Sequence, residues 1–229
     1  MLHSCRTCTV RTLLMYYDEN YILENRMKEI QLPITQTISM PLKADLSKAV
    51  DLGNGNFRID IGEVSSNDYA PLIETARRNG GNILYATTSI EQQLEYILME
   101  YFMGPFIKHE ERRVLFEREI LQSTALGYRA KKELISTIVK HNHLLDTKTL
   151  SSLQKRLKQV MDWRNAFAHG KLIYDTVAGC SLRYYSGGAK SQPLTDEYWT
   201  EVENGFKECI ELLKAVQNEL YRIQTTSDS

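Results

Sequence analysis

Apolar residues recur at every third and fourth position through most of the last two thirds of the chain, and this spacing predicts four helices. The first covers residues 88–102, with Ile90, Leu94, Ile97, Leu98 and Tyr101 on one stripe, and ends at Gly104-Pro105. Thr88-Ser89-Ile90-Glu91 fits a capping box at its start. The second covers residues 111–141, with Phe116, Ile120, Tyr128, Leu134, Ile135 and Ile138 as core, and Gly127 is placed to kink or divide it. His141-Asn142-His143 and Asp146-Thr147 form the next loop. The third, residues 149–168, carries Leu150, Leu153, Leu157, Val160, Met161 and Ala168, and Gly170 is positioned as a left-handed cap. Two short strands at 172–174 and 182–185 flank Gly179, with Gly187-Gly188 and Pro193 marking the exit. Thr195 then caps a last helix whose first turn holds Asp196 and Glu197, where negative charge meets the helix dipole. In it Trp199, Val202, Phe206, Cys209, Leu213, Val216, Leu220 and Ile223 form a heptad stripe, which suits a seam inside one bundle better than a dimer interface.

The first 80 residues have a different texture. Residues 15–30 suit a helix, and Pro33 and Pro41 break any regular structure immediately beyond it. Gly53-Asn54-Gly55-Asn56 is turn chemistry, and Phe57-Arg58-Ile59-Asp60-Ile61 alternates like a half-buried strand. Arg77-Arg78-Asn79-Gly80-Gly81-Asn82 has the composition of a loop or boundary. The expected division is therefore a small mixed region of unknown role over 1–80 and a helical domain over 81–225. The expected fold is mainly α: a four-to-five-helix bundle with a small β-hairpin insertion and a short mixed α/β N-terminal appendage.

Composition adds little to this, since 42% hydrophobic and 25% charged residues describe an ordinary soluble globular protein of 229 residues. No run approaches the roughly 18 apolar residues that span a bilayer, and the N-terminus lacks the pattern of a signal peptide. A cytoplasmic location with reduced cysteines is the expectation. Net charge is −1, but its distribution is uneven: residues 105–175 hold 14 Lys and Arg against 8 Asp and Glu, a net of +6 that leaves −7 for the rest. Basic surface suits a polyanion, because phosphate neutralisation dominates nucleic-acid affinity; it also suits a merely solvated helix face.

Within that basic segment, one residue breaks the apolar pattern. The stripe Leu153, Leu157, Val160 calls for an apolar residue at 164, and the residue there is Arg164. A guanidinium keeps its proton, so it needs a carboxylate, a path to water, or an anionic ligand. Asn165 and His169 stack four apart on one face, whereas Arg164 lies about 140° from His169 around an ideal helix. An internal salt bridge for Arg164 and a capping role for His169 are the structural alternatives to a functional site.

Arg164-Asn165-Ala166-Phe167-Ala168-His169-Gly170 at the end of a helix resembles the signature of the HEPN superfamily, in which Arg precedes His by a few residues. The helix order also resembles that family: a helical stretch containing Gly127-Tyr128-Arg129-Ala130 precedes the motif helix, and a long helix comes after it. The resemblance covers residues 80–223 and implies an HEPN-like bundle. It further implies a metal-independent endoribonuclease acting as a homodimer on single-stranded RNA, in toxin–antitoxin or phage-defence systems, with an antitoxin or other regulatory protein as a possible partner. Carried over, His169 is the acid/base group, Arg164 binds phosphate, and Asn165 orients His169 or the substrate. One imidazole per chain cannot readily serve as both base and acid, but two symmetry-related copies can. The family also contains non-catalytic dimerisation, regulatory and ligand-binding modules. A Tyr two residues beyond the His, found in toxins silenced by nucleotidylation, is replaced here by Lys171.

Other candidates are weaker. Glu91 and Glu95 are placed to support the site by facing Arg164. Cys5-x-x-Cys8 with His3 supplies part of a zinc site but not four ligands. His141 and His143 sit in a loop without matching carboxylates. No cofactor is implied, since the sequence has no Gly-rich phosphate loop, no G-x-S-x-G elbow and no H-E-x-x-H; nor is there a helix-turn-helix signature.

Overall fold

The computed structural model describes residues 49–53, 56–58, 66–104, 110–175 and 178–227. The expected helix over 15–30, the Pro33 and Pro41 breaks, the Cys5–Cys8 pair with His3, and positions 59–61 of the expected strand lie outside the described residues. In chain order the elements are β1 (Val50–Gly53), β2 (Asn56–Arg58), α1 (Ser66–Met103), α2 (Glu110–Phe116), a π-helical turn (Glu117–Leu121) and a 3-10 turn (Thr124–Leu126). They continue with α3 (Tyr128–His141), α4 (Thr147–His169), β3 (Lys171–Asp175), β4 (Gly179–Tyr185), β5 (Ala189–Pro193) and α5 (Asp196–Ser227). The described part is mainly helical, with one small three-stranded antiparallel sheet of order β3-β4-β5 and a separate β1-β2 hairpin.

Helix α1 is longer than the pattern at 88–102 predicts. It starts at Ser66 and runs without a break through Arg77–Asn82, so the expected loop there, and the capping box at Thr88, are both helix interior. The physical reason is visible in the burial: Ile73, Ala76, Gly80, Ile83, Thr87, Ile90, Leu94 and Ile97 are all buried at alternating spacings of three and four. Two glycines disfavour a helix by only about 1 kcal/mol each relative to Ala, and packing of a continuous stripe outweighs that. Thr88, instead of capping, donates its hydroxyl to Leu84 O one turn back.

Gly127 does divide the second helical stretch, as the N-cap of α3, but the helix is already distorted upstream of it. The π-helical turn at Glu117–Leu121 inserts an extra residue and rotates the face. Ile120, expected in the core, is consequently 48% exposed, and Leu121 takes the buried place.

Helix α4 is the centre of the bundle, contacting α1, α3 and α5. Asp146 caps it, accepting from Lys148 N and Thr149 N. The stripe of α5 faces inward: Val202, Phe206, Cys209, Leu213, Val216 and Leu220 are buried with core residues of the other helices. Trp163 of α4 stacks on Phe206 with centroids 5.5 Å apart, and Phe167 meets Trp199 at 5.8 Å. Gly205 allows this approach, since a Cβ there would lie 2.4 Å from the Trp163 ring. The seam is thus spent within one chain. Thr195 caps α5 through Tyr198 N, as expected.

The two expected strands are present and a third, β5, joins them beyond the Gly187-Gly188 turn. The inner face of the sheet, with Leu172, Tyr174, Cys180 and Leu182 buried, packs on α1 and α4. Gly170 has extended backbone (φ −82°, ψ 168°) and is not a left-handed cap. Its glycine identity has another cause: a Cβ would sit 2.3 Å from Ala166 O and 2.7 Å from a Leu182 methyl.

Candidate functional site

The motif residues occupy the last turns of α4, where the helix passes the start of α3. Tyr128, the first residue of α3, donates its hydroxyl to Leu157 O. Beyond that level α3 no longer covers α4, and the core stripe turns from Val160 to Trp163, Ala166 and Phe167, towards α5. The side of α4 that carries Met161, Arg164 and Ala168 is left facing an open groove of about 440 Å³, completed by Leu84, Thr87, Thr88, Glu91 and Tyr128. An arginine at a core-spaced position is tolerated because the core has ended on that side of the helix.

Arg164 is exposed. Among the described residues it forms no ion pair, and its hydrogen bond runs from Nη1 to Asn165 Oδ1 at 3.1 Å. Asn165, expected to orient His169, is instead engaged with its neighbour. His169 is exposed at the last position of α4 and makes no side-chain hydrogen bond among the described residues. It does not line the groove, so one chain does not bring the guanidinium and the imidazole into one cleft.

The two carboxylates expected to face Arg164 are held elsewhere. Lys131 of α3, itself 3% exposed, donates to Glu91 Oε1 at 2.6 Å and to Glu95 Oε1 at 2.5 Å. Burial would lower the Lys131 pKa, but the two charged hydrogen bonds outweigh it and raise it above the usual lysine value. Glu91 still lines the groove, with its charge already shared with Lys131; Glu95 does not. The lysine cluster was legible and overlooked, since Tyr128, Lys131, Ile135 and Ile138 lie at spacings of three, four and three. That is the anomaly of Arg164 repeated one helix earlier.

The groove combines a guanidinium that has no ion pair among the described residues with the first turn of α3, whose N-terminus carries no side-chain cap hydrogen bond. Uncapped N–H groups and the helix dipole favour anions, as does the arginine. The two cysteines among the described residues offer no chemistry here: Cys180 and Cys209 are buried, and burial pushes the Cys209 thiol up to about 12 and the Cys180 thiol up as well. No cluster of three or more His, Cys, Asp or Glu occurs among the described residues, and none of the described helices is long and apolar enough to cross a membrane. No family model, no curated protein and no solved structure matches the chain.

Proposed function

We propose that the chain is an HEPN-type endoribonuclease that acts on single-stranded RNA as a homodimer without a metal, with Arg164 and His169 as its working groups. The observation that carries this is Arg164 itself. It stands at a core-spaced position of α4, yet its guanidinium opens into a groove with no carboxylate partner among the described residues. A dimer that set the α4 ends of two copies together would add the second imidazole that one chain lacks. The α5 seam is already buried, so pairing through exposed Arg164, Asn165 and His169 leaves the core intact.

In that arrangement one His169 takes the proton of a ribose 2′-hydroxyl as its oxygen attacks the adjacent phosphorus. The 2′-O–P bond forms and the P–O5′ bond breaks, and the partner's His169 protonates the leaving 5′ oxygen. Arg164 grips two phosphate oxygens and stabilises the charge that accumulates on them. The products are a 2′,3′-cyclic phosphate end and a 5′-hydroxyl end, and DNA is inert for want of the 2′-hydroxyl. An antitoxin or another regulatory partner belongs to the same proposal.

The absence of His169 from the groove favours a second reading, a non-catalytic HEPN module that binds an anionic ligand at Arg164. RNA incubated in EDTA with the purified protein separates the two. Cyclic-phosphate ends produced by wild type, and lost in Arg164→Ala and His169→Ala with melting unchanged, support the enzyme. An inert wild type, or a protein that remains strictly monomeric, removes it.

A further inference from the structure

The outward face of the β3-β4-β5 sheet holds charges that no ion pair among the described residues accounts for. Lys171 and Arg183 are register partners across β3 and β4, so two cations stand directly opposite each other on one face. Cβ atoms of such a pair are about 5 Å apart, and like charges at that spacing destabilise a sheet. Both side chains are exposed, and among the described residues neither has an ion pair. Two residues along β4, on the same face, Tyr185 is 82% exposed at the end of the strand. A phenol ring so open gains nothing from packing. In the opposite direction Ile173, on the same face of β3, is buried, so the open part of the face lies at one end only.

That end is the His169 end. Gly170 is extended, which places His169 and Lys171 about 7 Å apart along the backbone. Lys171 opens β3 directly after Gly170, and Tyr185 closes β4 two residues beyond Arg183, so both lie at the end of the sheet that α4 enters. An imidazole, two unpaired cations and an exposed aromatic ring thus share one edge of the molecule. The cations are too close together to be comfortable without an anion, and the ring supplies a stacking surface beside them.

We propose that this sheet face holds a single strand of nucleic acid that runs on to the His169 site, with Lys171 and Arg183 on its phosphates and Tyr185 under a base. The choice of RNA as the natural strand rests on the nuclease reading; the charge and stacking stand on the sheet alone. A folded duplex keeps its base faces stacked and unavailable to Tyr185, so the strand is unpaired. The face carries no donor–acceptor pattern that would select one base, so binding is tolerant of sequence.

Fluorescence anisotropy with a labelled short oligo(deoxyuridine), which lacks the 2′-hydroxyl and so cannot be cut by this route, tests the surface apart from the chemistry. Wild type binds with an affinity that falls as salt rises. Lys171→Ala/Arg183→Ala weakens binding about tenfold or more and lowers the slope of log K against log salt by about 1.4, at roughly 0.7 per phosphate contact on a single strand. Tyr185→Ala weakens it about tenfold with the slope unchanged. The proposal falls if wild type does not bind, if these variants bind as wild type does, or if polyglutamate competes as well as the oligonucleotide. Binding that obeys these expectations without any RNA cleavage leaves the sheet face standing and removes the nuclease. His169-dependent cleavage that is indifferent to all three substitutions does the reverse.

Discussion

Lys131 in α3 and Arg164 in α4 both stand where spacings of three and four ask for an apolar side chain, and the same pair of packed helices treats them in opposite ways. Lys131 is covered by α1, which supplies Glu91 and Glu95, and its charge is shared between two hydrogen bonds within the bundle. Arg113 obeys the same rule: it is buried, pairs with Glu100 and donates to Gly104 O. Arg164 lies about two turns of α4 beyond Leu157, the level at which α3 starts; it is exposed, and the Glu91 carboxylate that lines its groove is already paired with Lys131. A buried cation that has lost its partner is costly, and both cations buried among the described residues, Lys131 and Arg113, are compensated. A cation left open to a groove has no such structural duty, and the difference marks where a ligand is expected.

The sharpest way to break the comparison is to delete the charges on the open side. If Arg164 and His169 serve chemistry, His169→Ala lowers RNA cleavage by about 10²–10⁴-fold and Arg164→Ala by about 10²–10³-fold. Because both side chains are exposed, the melting temperature of each variant stays within about 2 °C of wild type. A large drop in melting for Arg164→Ala shows that it is a structural arginine after all.

On the enclosed side the order is reversed. Lys131→Met leaves Glu91 and Glu95 unpaired and is expected to cost about 2–3 kcal/mol in urea unfolding, less than a fully buried pair because both carboxylates keep some water. The pH dependence stems from the raised Lys131 pKa. A group raised above its unfolded value, about 10.4 for lysine, stabilises fully below that pH and loses its contribution as pH rises through the folded value. Wild type therefore loses stability on the alkaline side of about pH 10, and Lys131→Met lacks that component of the loss. Parallel melting curves for the two proteins through that range contradict the expectation.

The packed seam gives a smaller effect. Gly205→Ala adds a methyl that meets Trp163 at 2.4 Å, and overpacking of about 1–3 kcal/mol exceeds the helix propensity of about 1 kcal/mol that alanine brings. Urea unfolding is expected to show net destabilisation; a more stable Gly205→Ala shows that the tryptophan moves aside freely. Smallest of all, Arg183→Thr removes a like-charge pair across β3 and β4 and is expected to raise stability by about 0.2–1 kcal/mol in the same assay.

Much of this was legible in the sequence. The stripes of α4 and α5, the Thr195 cap, the strand pair around Gly179 and the division at Gly127 all come from spacing and turn chemistry. What escaped was set by tertiary contact. The buried stripe from Ile73 to Leu94 overrides Gly80-Gly81, so a loop composition became the middle of a helix. The π-helical turn rotated Ile120 outward, and no local rule signals that extra residue. At the site, spacing alone identified Arg164 as anomalous, but whether α3 reaches far enough to cover it depends on where two helices align. The same periodicity applied to Lys131 would have found the cluster that holds Glu91 and Glu95 away from Arg164.

Gly170 has a consequence of its own. With Ala166 O and a Leu182 methyl filling the space where a side chain would stand, the last turn of α4 is locked directly onto the sheet, with no slack between them. The helix end that carries the imidazole and the strand that opens the cationic pair are therefore joined through one residue with no room for a side chain, so their spacing is set by backbone and core contact. A joint of that kind fixes the distance between gripping and reacting groups like the jaws of a calliper set to one gap.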